Sequence, residues 1–91
     1  MMNRFCELAG VDIPLIGAPM TFIAGAQLAA AVSNAGGLGI IETTSEQGRA
    51  DLHRVRELTD RPVGANISLF VERDPAFVDE LVGLGIRFVT T

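Results

Sequence analysis

The chain has no lysine, tryptophan or tyrosine, and only one cysteine and one histidine. Each scarcity excludes something. All seven cationic side chains are arginines, set against eleven carboxylates, for a net charge of −4. That balance carries no basic footprint for nucleic acid. The five aromatic residues are all phenylalanine, so no polar-tipped ring is available for stacking. Cys6 alone makes no intramolecular disulfide, which fits a reducing, cytoplasmic setting. It has no neighbouring base in the sequence to activate it as a nucleophile. The first residues carry Arg4, Glu7 and Asp12 and lack the apolar stretch of a secretory signal. No His/Cys/Asp/Glu spacing reads as a metal site.

Apolar character, by contrast, is abundant. Hydrophobic residues make up 48% of the 91, and mean hydropathy is +0.37. A short chain has a high surface-to-volume ratio and should be more polar than this. Either it crosses a membrane or it belongs inside something larger. Asp12, Glu42, Arg49, Asp51, Arg61, Arg73 and Asp74 break up the apolar stretches, and a spanning helix needs roughly 20 apolar residues. The longest charge-free run, Ile13 to Ile41, holds Pro14, Pro19 and a glycine cluster, so it is not one helix. The second alternative is therefore expected: a single incomplete domain over residues 1–91.

The pattern alternates strands and helices. Residues 3–10 read as a short helix stopped by Gly10, with Phe5 and Leu8 on one face. Residues 13–17 read as a strand, with Pro14 near its start where a missing N–H is tolerated. Residues 24–35 form a helix whose Leu28, Ala31, Val32 and Ala35 make an apolar stripe. Gly36-Gly37 ends it. Leu38 to Glu42 is apolar on both faces, as in a parallel strand covered by helices. Thr44 to Gln47 matches a capping box for a helix over about 45–58, with Leu52, Val55 and Leu58 or Thr59 on its buried side. Val63 to Leu69 is the next strand. Asp74-Pro75 caps a further helix with Phe77, Val78, Leu81 and Val82 on its apolar face, and Gly83 or Gly85 ends it. Ile86 to Thr90 is the last strand. The order β-α-β-α-β-α-β predicts an α/β fold with parallel strands and right-handed crossovers. Periodicity leaves open a doubly wound sheet or part of an eight-stranded barrel.

The residues themselves carry more. Pro14-Leu15-Ile16-Gly17-Ala18-Pro19-Met20, followed by Leu28 to Gly39 with its Gly36-Gly37-Leu38-Gly39, closely resembles the N-terminal signature of the nitronate monooxygenase family, formerly 2-nitropropane dioxygenase. Arg4-Phe5-Cys6-Glu7-Leu8 resembles the family's opening. Pro62-Val63-Gly64-Ala65-Asn66-Ile67 and Gly85 to Thr91 resemble its third and fourth strands. The resemblance spans nearly the whole chain. It implies the first half of an FMN-dependent (β/α)8 TIM barrel, a fold that typically needs about 250 residues. Type II enoyl-acyl-carrier-protein reductase is similar over the same region. IMP dehydrogenase is less so, because it places His where this chain has Glu42 and inserts a large segment before its next barrel strand.

From the residues, Ala18-Pro19-Met20 is a thin, stiff loop at the mouth end of a strand, with a polarisable thioether suited to a flat ring. Asn66 is an amide inside an apolar strand and must find partners. The resemblance implies that Ala18, Pro19, Met20 and Asn66 contact FMN. Asn66 could otherwise bond a neighbouring strand's backbone, and Met20 could simply fill a core. Thr90, Thr91 and Glu42 end strands at the same mouth. Ser33-Asn34-Ala35 reads as helix surface and C-terminus, and His53 as an exposed helix position. The glycine cluster precedes a strand rather than a helix, which is the wrong order for a phosphate loop. No catalytic residue is expected in this chain: the family's histidine base and phosphate-binding glycines lie beyond this region.

Three functions stay open. The resemblance implies oxidation of a small nitronate substrate by FMN and dioxygen in the complete parent, with the 91-residue chain alone inactive. The alternative is NAD(P)H-dependent enoyl-thioester reduction through FMN. In the third, the chain is a catalytically dead half-barrel or interaction module. Exposed sheet edges would then favour self-association.

Overall fold

The computed structural model describes residues 3–20, 25–68 and 74–91. Four helices alternate with four strands: α1 (Arg4–Ala9), β1 (Ile16–Gly17), α2 (Ala26–Asn34), β2 (Leu38–Glu42), α3 (Glu46–Leu58), β3 (Val63–Asn66), α4 (Pro75–Gly83) and β4 (Phe88–Thr90). The strands form one sheet in the order β1-β2-β3-β4, and each neighbouring pair is parallel. Sequential order with no reversal is barrel-wall topology; a doubly wound sheet would reverse its strand order at a switch point.

All four expected strands are present: β2 has the expected bounds, and the other three are shorter. Pro14 has no N–H, and the N–H groups of Asp12 and Ile13 both donate to Gly36 O, while Leu15 N–H turns back to Ile13 O at 2.8 Å. The turn takes up the N–H of Leu15, whose carbonyl already accepts from Leu38 N–H at 2.8 Å, so β1 pairs from Ile16 and not from Ile13. β3 ends at Asn66; Leu69 lies outside the described residues, as does Ala24 at the expected start of α2. β4 begins at Phe88 rather than Ile86, because Ile86 N–H closes the end of α4 on Leu81 O. The cap of α3 also falls one residue later than the capping box implied. Ser45 accepts from Gly48 N–H at 3.0 Å. Asp74 caps α4 through Ala76 N–H, with Pro75 in the first turn.

Alternation along the strands divides the core in two. Ile41, Val63 and Ala65 face the helical layer and pack with Leu52, Val55, Phe77 and Leu81. Leu38 and Ile40 point to the opposite side, where Cys6, Val11, Phe5 and Phe88 join them. That side is the interior of the barrel wall, and α1 lies across its lower, N-terminal end. α1 buries Cys6 there and leaves Leu8 68% exposed. The Phe5 and Phe88 rings meet edge to face at 6.0 Å.

The buried stripe of α2 is not the one its hydropathy selects. Leu28 is 45% exposed and Ala31 and Ala35 are exposed, whereas Ala26, Ala29, Ala30 and Ser33 are buried. Closeness decides the matter. A Cβ on Gly39 of β2 would overlap the backbone of Ala29, so only small side chains fit the contact. Ser33 fastens it: its Oγ donates to Pro62 O at 2.7 Å and accepts from Gly39 N–H at 3.0 Å. Ser33 is therefore a buried clamp and not helix surface. Similarly, α4 buries Phe77 and Leu81 but leaves Val78 and Val82 exposed, and Leu58 of α3 is 38% exposed. Replacing Gly39 by Ala should cost about 2–3 kcal/mol through overpacking. Replacing Gly83 by Ala, where nothing lies within 4 Å, should add about 0.5 kcal/mol. Urea unfolding of the two variants checks both signs.

Candidate active-site mouth

In a barrel of parallel strands, chemistry gathers where the strands end at their C-termini. Four segments reach that end here. Ala18-Pro19-Met20 leaves β1, Thr43-Thr44 leaves β2, Ile67-Ser68 leaves β3, and Thr91 follows β4. Sheet register ties three of the strands into one row: Glu42 lies beside Asn66, and Asn66 beside Thr90. By alternation with Leu38 and Ile40, this row faces the barrel interior. The interior face is thus apolar below, at Leu38, Ile40 and Phe88, and polar at its top.

Hydrogen bonds hold the row. Asn66 is half-buried. Its Nδ2 donates to Thr90 Oγ1 at 2.9 Å and weakly to Thr90 O at 3.5 Å. The Asn66 carbonyl accepts from Thr43 Oγ1 at 2.6 Å, and Ile67 N–H donates to Thr90 O at 2.8 Å. The amide therefore does bond the neighbouring strand, but with only one side of its head. Among the described residues no donor meets Oδ1, and the Thr90 hydroxyl proton is unspent. One acceptor and one donor are left at the mouth.

Glu42 is only 6% exposed. Its Oε1 accepts from both the backbone N–H and the hydroxyl of Thr44. This pins the turn between β2 and α3. A Cβ on Gly48, in the first turn of α3, would overlap Glu42 O, so that helix start sits directly on the strand end. Thr43 and Thr44 did not stand out in the sequence. Hydroxyls immediately after an apolar strand are the signal that could have found them.

Ala18 and Met20 are exposed and Pro19 half-buried. Met20 borders two small cavities. One, of about 110 Å³, includes Glu42, Ser45, Gly48 and Asp51. The other, of about 130 Å³, includes Gly17, Ala18, Leu28, Val32 and Ile40. The loop after β1 and the polar row thus share one end of the wall. Thr91 is exposed beyond the row. A larger cleft of about 430 Å³ lies at the opposite, N-terminal end, among Gly10, Arg56, Arg61, Arg87 and Phe88. It is distant from the strand ends that carry the polar row.

Several other ionisable groups are engaged on the outer helices or at the N-terminal end of the wall. His53 is exposed on α3 and sits 2.8 Å from Glu80 of α4. The Arg49 guanidinium lies 4.2 Å above the Phe77 ring. Arg61 reaches Asp12 at 3.4 Å. None of the described arginines stands at the mouth; Arg73 lies outside the described residues. Cys6 is fully buried under the interior.

This is the wall of a (β/α)8 barrel, with one polar row at the C-terminal ends of its strands. The chain belongs to the nitronate monooxygenase family, a family of oxidoreductases, whose model matches residues 3–80. It is 49% identical over 83 residues to a nitronate monooxygenase of Pseudomonas aeruginosa, covering 84% of this chain and 23% of that protein. It is 38% identical over 84 residues to a hydroxy-methyl-oxo-octahydroindene-carboxyl-CoA dehydrogenase of Mycobacterium tuberculosis, covering 89% and 22%. Among solved structures, FabK from Thermotoga maritima matches with a TM-score of 0.69 and 34% identity, over 92% of this chain and 27% of its own. Nitroalkane oxidase from Streptomyces ansochromogenes matches at 0.63 and 30%, over 89% and 25%. The chain spans about a quarter of the length of the relatives it matches.

Thr44 is what satisfies the buried Glu42 carboxylate. Thr44→Val should therefore cost about 1–3 kcal/mol. The same change in a Glu42→Ala background should cost clearly less. A double-mutant cycle by denaturant unfolding measures the difference.

Proposed function

We propose that residues 1–91 are one incomplete domain, the first four strands of an FMN-dependent barrel that oxidises alkyl nitronates with dioxygen. The reading rests chiefly on one observation. In a chain of this family, the half-satisfied Asn66 amide and the Thr90 hydroxyl face the mouth beside the thin Ala18-Pro19-Met20 loop. A flavin ring offers a flat apolar face and an edge of alternating donors and acceptors. The residues present fit both features. Met20, Ala18 and Pro19 would back the face, and Asn66 Oδ1 would accept from the polar edge. When bound, the flavin supplies the electron transfer from nitronate and the reaction with dioxygen.

The chain's own contribution is positioning. Thr90 orients the Asn66 amide, Thr43 anchors the same strand end, and the Glu42–Thr44 contact fixes the adjoining turn. The described residues bring no cation to the mouth that would hold a phosphate. In barrels of this type that task falls to loops after strands seven and eight. The one histidine of the chain is held on the outer helices, so no imidazole base is supplied here either. The isolated chain is accordingly read as inactive. Its single buried thiol fits a cytoplasmic protein. No described helix is long and apolar enough to cross a membrane. The open edges of the sheet are read as sites of self-association.

If this chain holds the ring but not the phosphate, riboflavin and FMN should bind it with affinities within about threefold. Asn66→Ala should weaken both by roughly tenfold, equivalent to about 1.4 kcal/mol. Flavin fluorescence titration reads these values, and failure of either flavin to bind would remove the proposed site. Joined to the remaining strands of a family barrel, the chain should support oxygen uptake with an alkyl nitronate. NAD(P)H-driven reduction of an enoyl thioester, with no nitronate activity, would select the reductase alternative instead.

A further inference from the structure

Three arginines converge at the end of the wall opposite the mouth. Arg56 sits in the last turn of α3, Arg61 on the link from α3 to β3, and Arg87 on the link from α4 to β4. All three line the cleft of about 430 Å³, together with Leu8, Pro62 and Phe88. The cleft opens beneath the start of β3, a strand with neighbours on both sides.

Arg56 ties the group together. Its Nη2 donates to Arg61 O at 2.9 Å, which folds the last turn of α3 onto the link that follows. Its Nη1 lies 4.0 Å from where a Cβ on Gly85 would stand, so the same guanidinium also reaches the α4–β4 link. Among the described residues, Arg56 Nε is the buried side-chain polar atom left without a hydrogen-bond partner. A buried donor is costly while it stays unmet. Nε and Nη2 share the edge of the guanidinium that grips two oxygens of an oxyanion side-on. Nη2 spends only one of its two hydrogens on Arg61 O.

The other two arginines are loosely held. Arg61 meets Asp12 at 3.4 Å, with the side chains 45% and 68% exposed. An exposed pair of this kind contributes little and is readily exchanged. Arg87 is exposed and makes no ion pair among the described residues. Two carboxylates line the cleft as well. Glu7 turns to Arg4 at 3.8 Å, and Asp60 pairs with none of the three arginines. Three cations against two carboxylates leave the cleft positive in a chain of net charge −4.

We propose that this cleft binds a small phosphate-bearing ligand, its phosphate on Arg56, Arg61 and Arg87 and its apolar body against Leu8, Pro62 and Phe88. A carboxylate has two coplanar oxygens, which one guanidinium fork satisfies. A phosphate presents oxygens in three directions, and three guanidiniums from separate segments suit that shape. The cleft is larger than a phosphate alone, which leaves room for the body. This goes beyond the flavin reading and uses none of its residues. A flavin phosphate lodged here would hold its ring away from the mouth, so riboflavin, which has no phosphate, reports the mouth alone.

The test is calorimetric titration of the flavin-free chain with phenyl phosphate, inorganic phosphate, benzoate and phenol. Phenyl phosphate should bind at a single site and inorganic phosphate more weakly. Benzoate and phenol should bind at least about tenfold more weakly than phenyl phosphate. Arg56→Gln and Arg87→Gln should each weaken phenyl phosphate by roughly tenfold. Arg87 is exposed, so its variant keeps the test open even where Arg56→Gln fails to fold. Arg54→Gln, an exposed position of α3 outside the cleft, should change nothing. No binding of phenyl phosphate would overturn the proposal. Benzoate binding as tightly as phenyl phosphate would overturn the choice of phosphate. Equal weakening by Arg54→Gln would overturn a built site in favour of diffuse charge. Joined to the remaining strands of a family barrel, the chain should keep the ligand. Loss of binding there would overturn the site and assign the arginines to carboxylates of those strands. Flavin is absent from every arm, so failure here leaves the proposed cofactor site untouched.

Discussion

The close approach of α2 to β2 is the constraint on which the rest of the sheet depends. Gly39 has no room for a Cβ against the Ala29 backbone, and Ser33 bonds Gly39 N–H and Pro62 O at once. One hydroxyl thus joins a helix, the strand it covers, and the segment that opens the next strand. Its two bonds are made out of water, where leaving either partner unmet would cost about 1–3 kcal/mol. With α2 held this near, β2 is buried along its whole length and becomes the central rail to which β1 and β3 register. The polar row at the mouth inherits its alignment from that register.

The interior face of the wall has a gradient with a physical reason. Low in the wall, Leu38, Ile40 and Phe88 meet α1, which fills space that would otherwise admit water. At the top no described element covers the face. Polar side chains can stand there without the penalty of full burial, and each can spend part of its capacity on a neighbour. Asn66 does so through Nδ2 and keeps Oδ1 unspent. Glu42 does the reverse: it is buried and fully committed on one oxygen to Thr44. The two residues share a row but differ in task. Asn66 can meet a ligand, whereas Glu42 shapes the turn beside it.

Much of the fold was legible in the sequence because its signals are local. Gly10 ends α1 with a positive φ, Asp74-Pro75 starts α4, and Leu38 to Glu42 is apolar on both faces. The buried face of α2 was not legible. Hydropathy favours Leu28 and Val32, while the contact selects for smallness, and smallness matters only once the distance to β2 is known. Val78 and Val82 misled for a related reason. They belong to an apolar face that the described residues leave exposed. At the mouth, Glu42, Asn66 and Thr90 could each be picked out as strand ends. Their membership of one row depends on register between segments far apart in sequence, and no local pattern carries that.

Among the described residues the sheet has no strand outside β1 or β4, and exposed apolar side chains lie beside both edges. They include Leu15, Ile16 and Leu28 on one side and Val78, Val82 and Val89 on the other, while Leu8 and Leu58 are exposed elsewhere. That distribution accounts for part of the high hydrophobic content of so short a chain, since these side chains lie on the surface beside the sheet edges. It also orders the two parts of the mouth. On the proposed cofactor reading, the part that meets a flat ring needs only thin backbone and one amide, and four strands can present both. The part that grips a phosphate needs cations or helix ends converging from another direction, and a single curved wall offers only one. On the proposed cofactor reading, closure of the barrel, by whatever strands supply it, is therefore the step that would add a phosphate grip to the ring-facing surface.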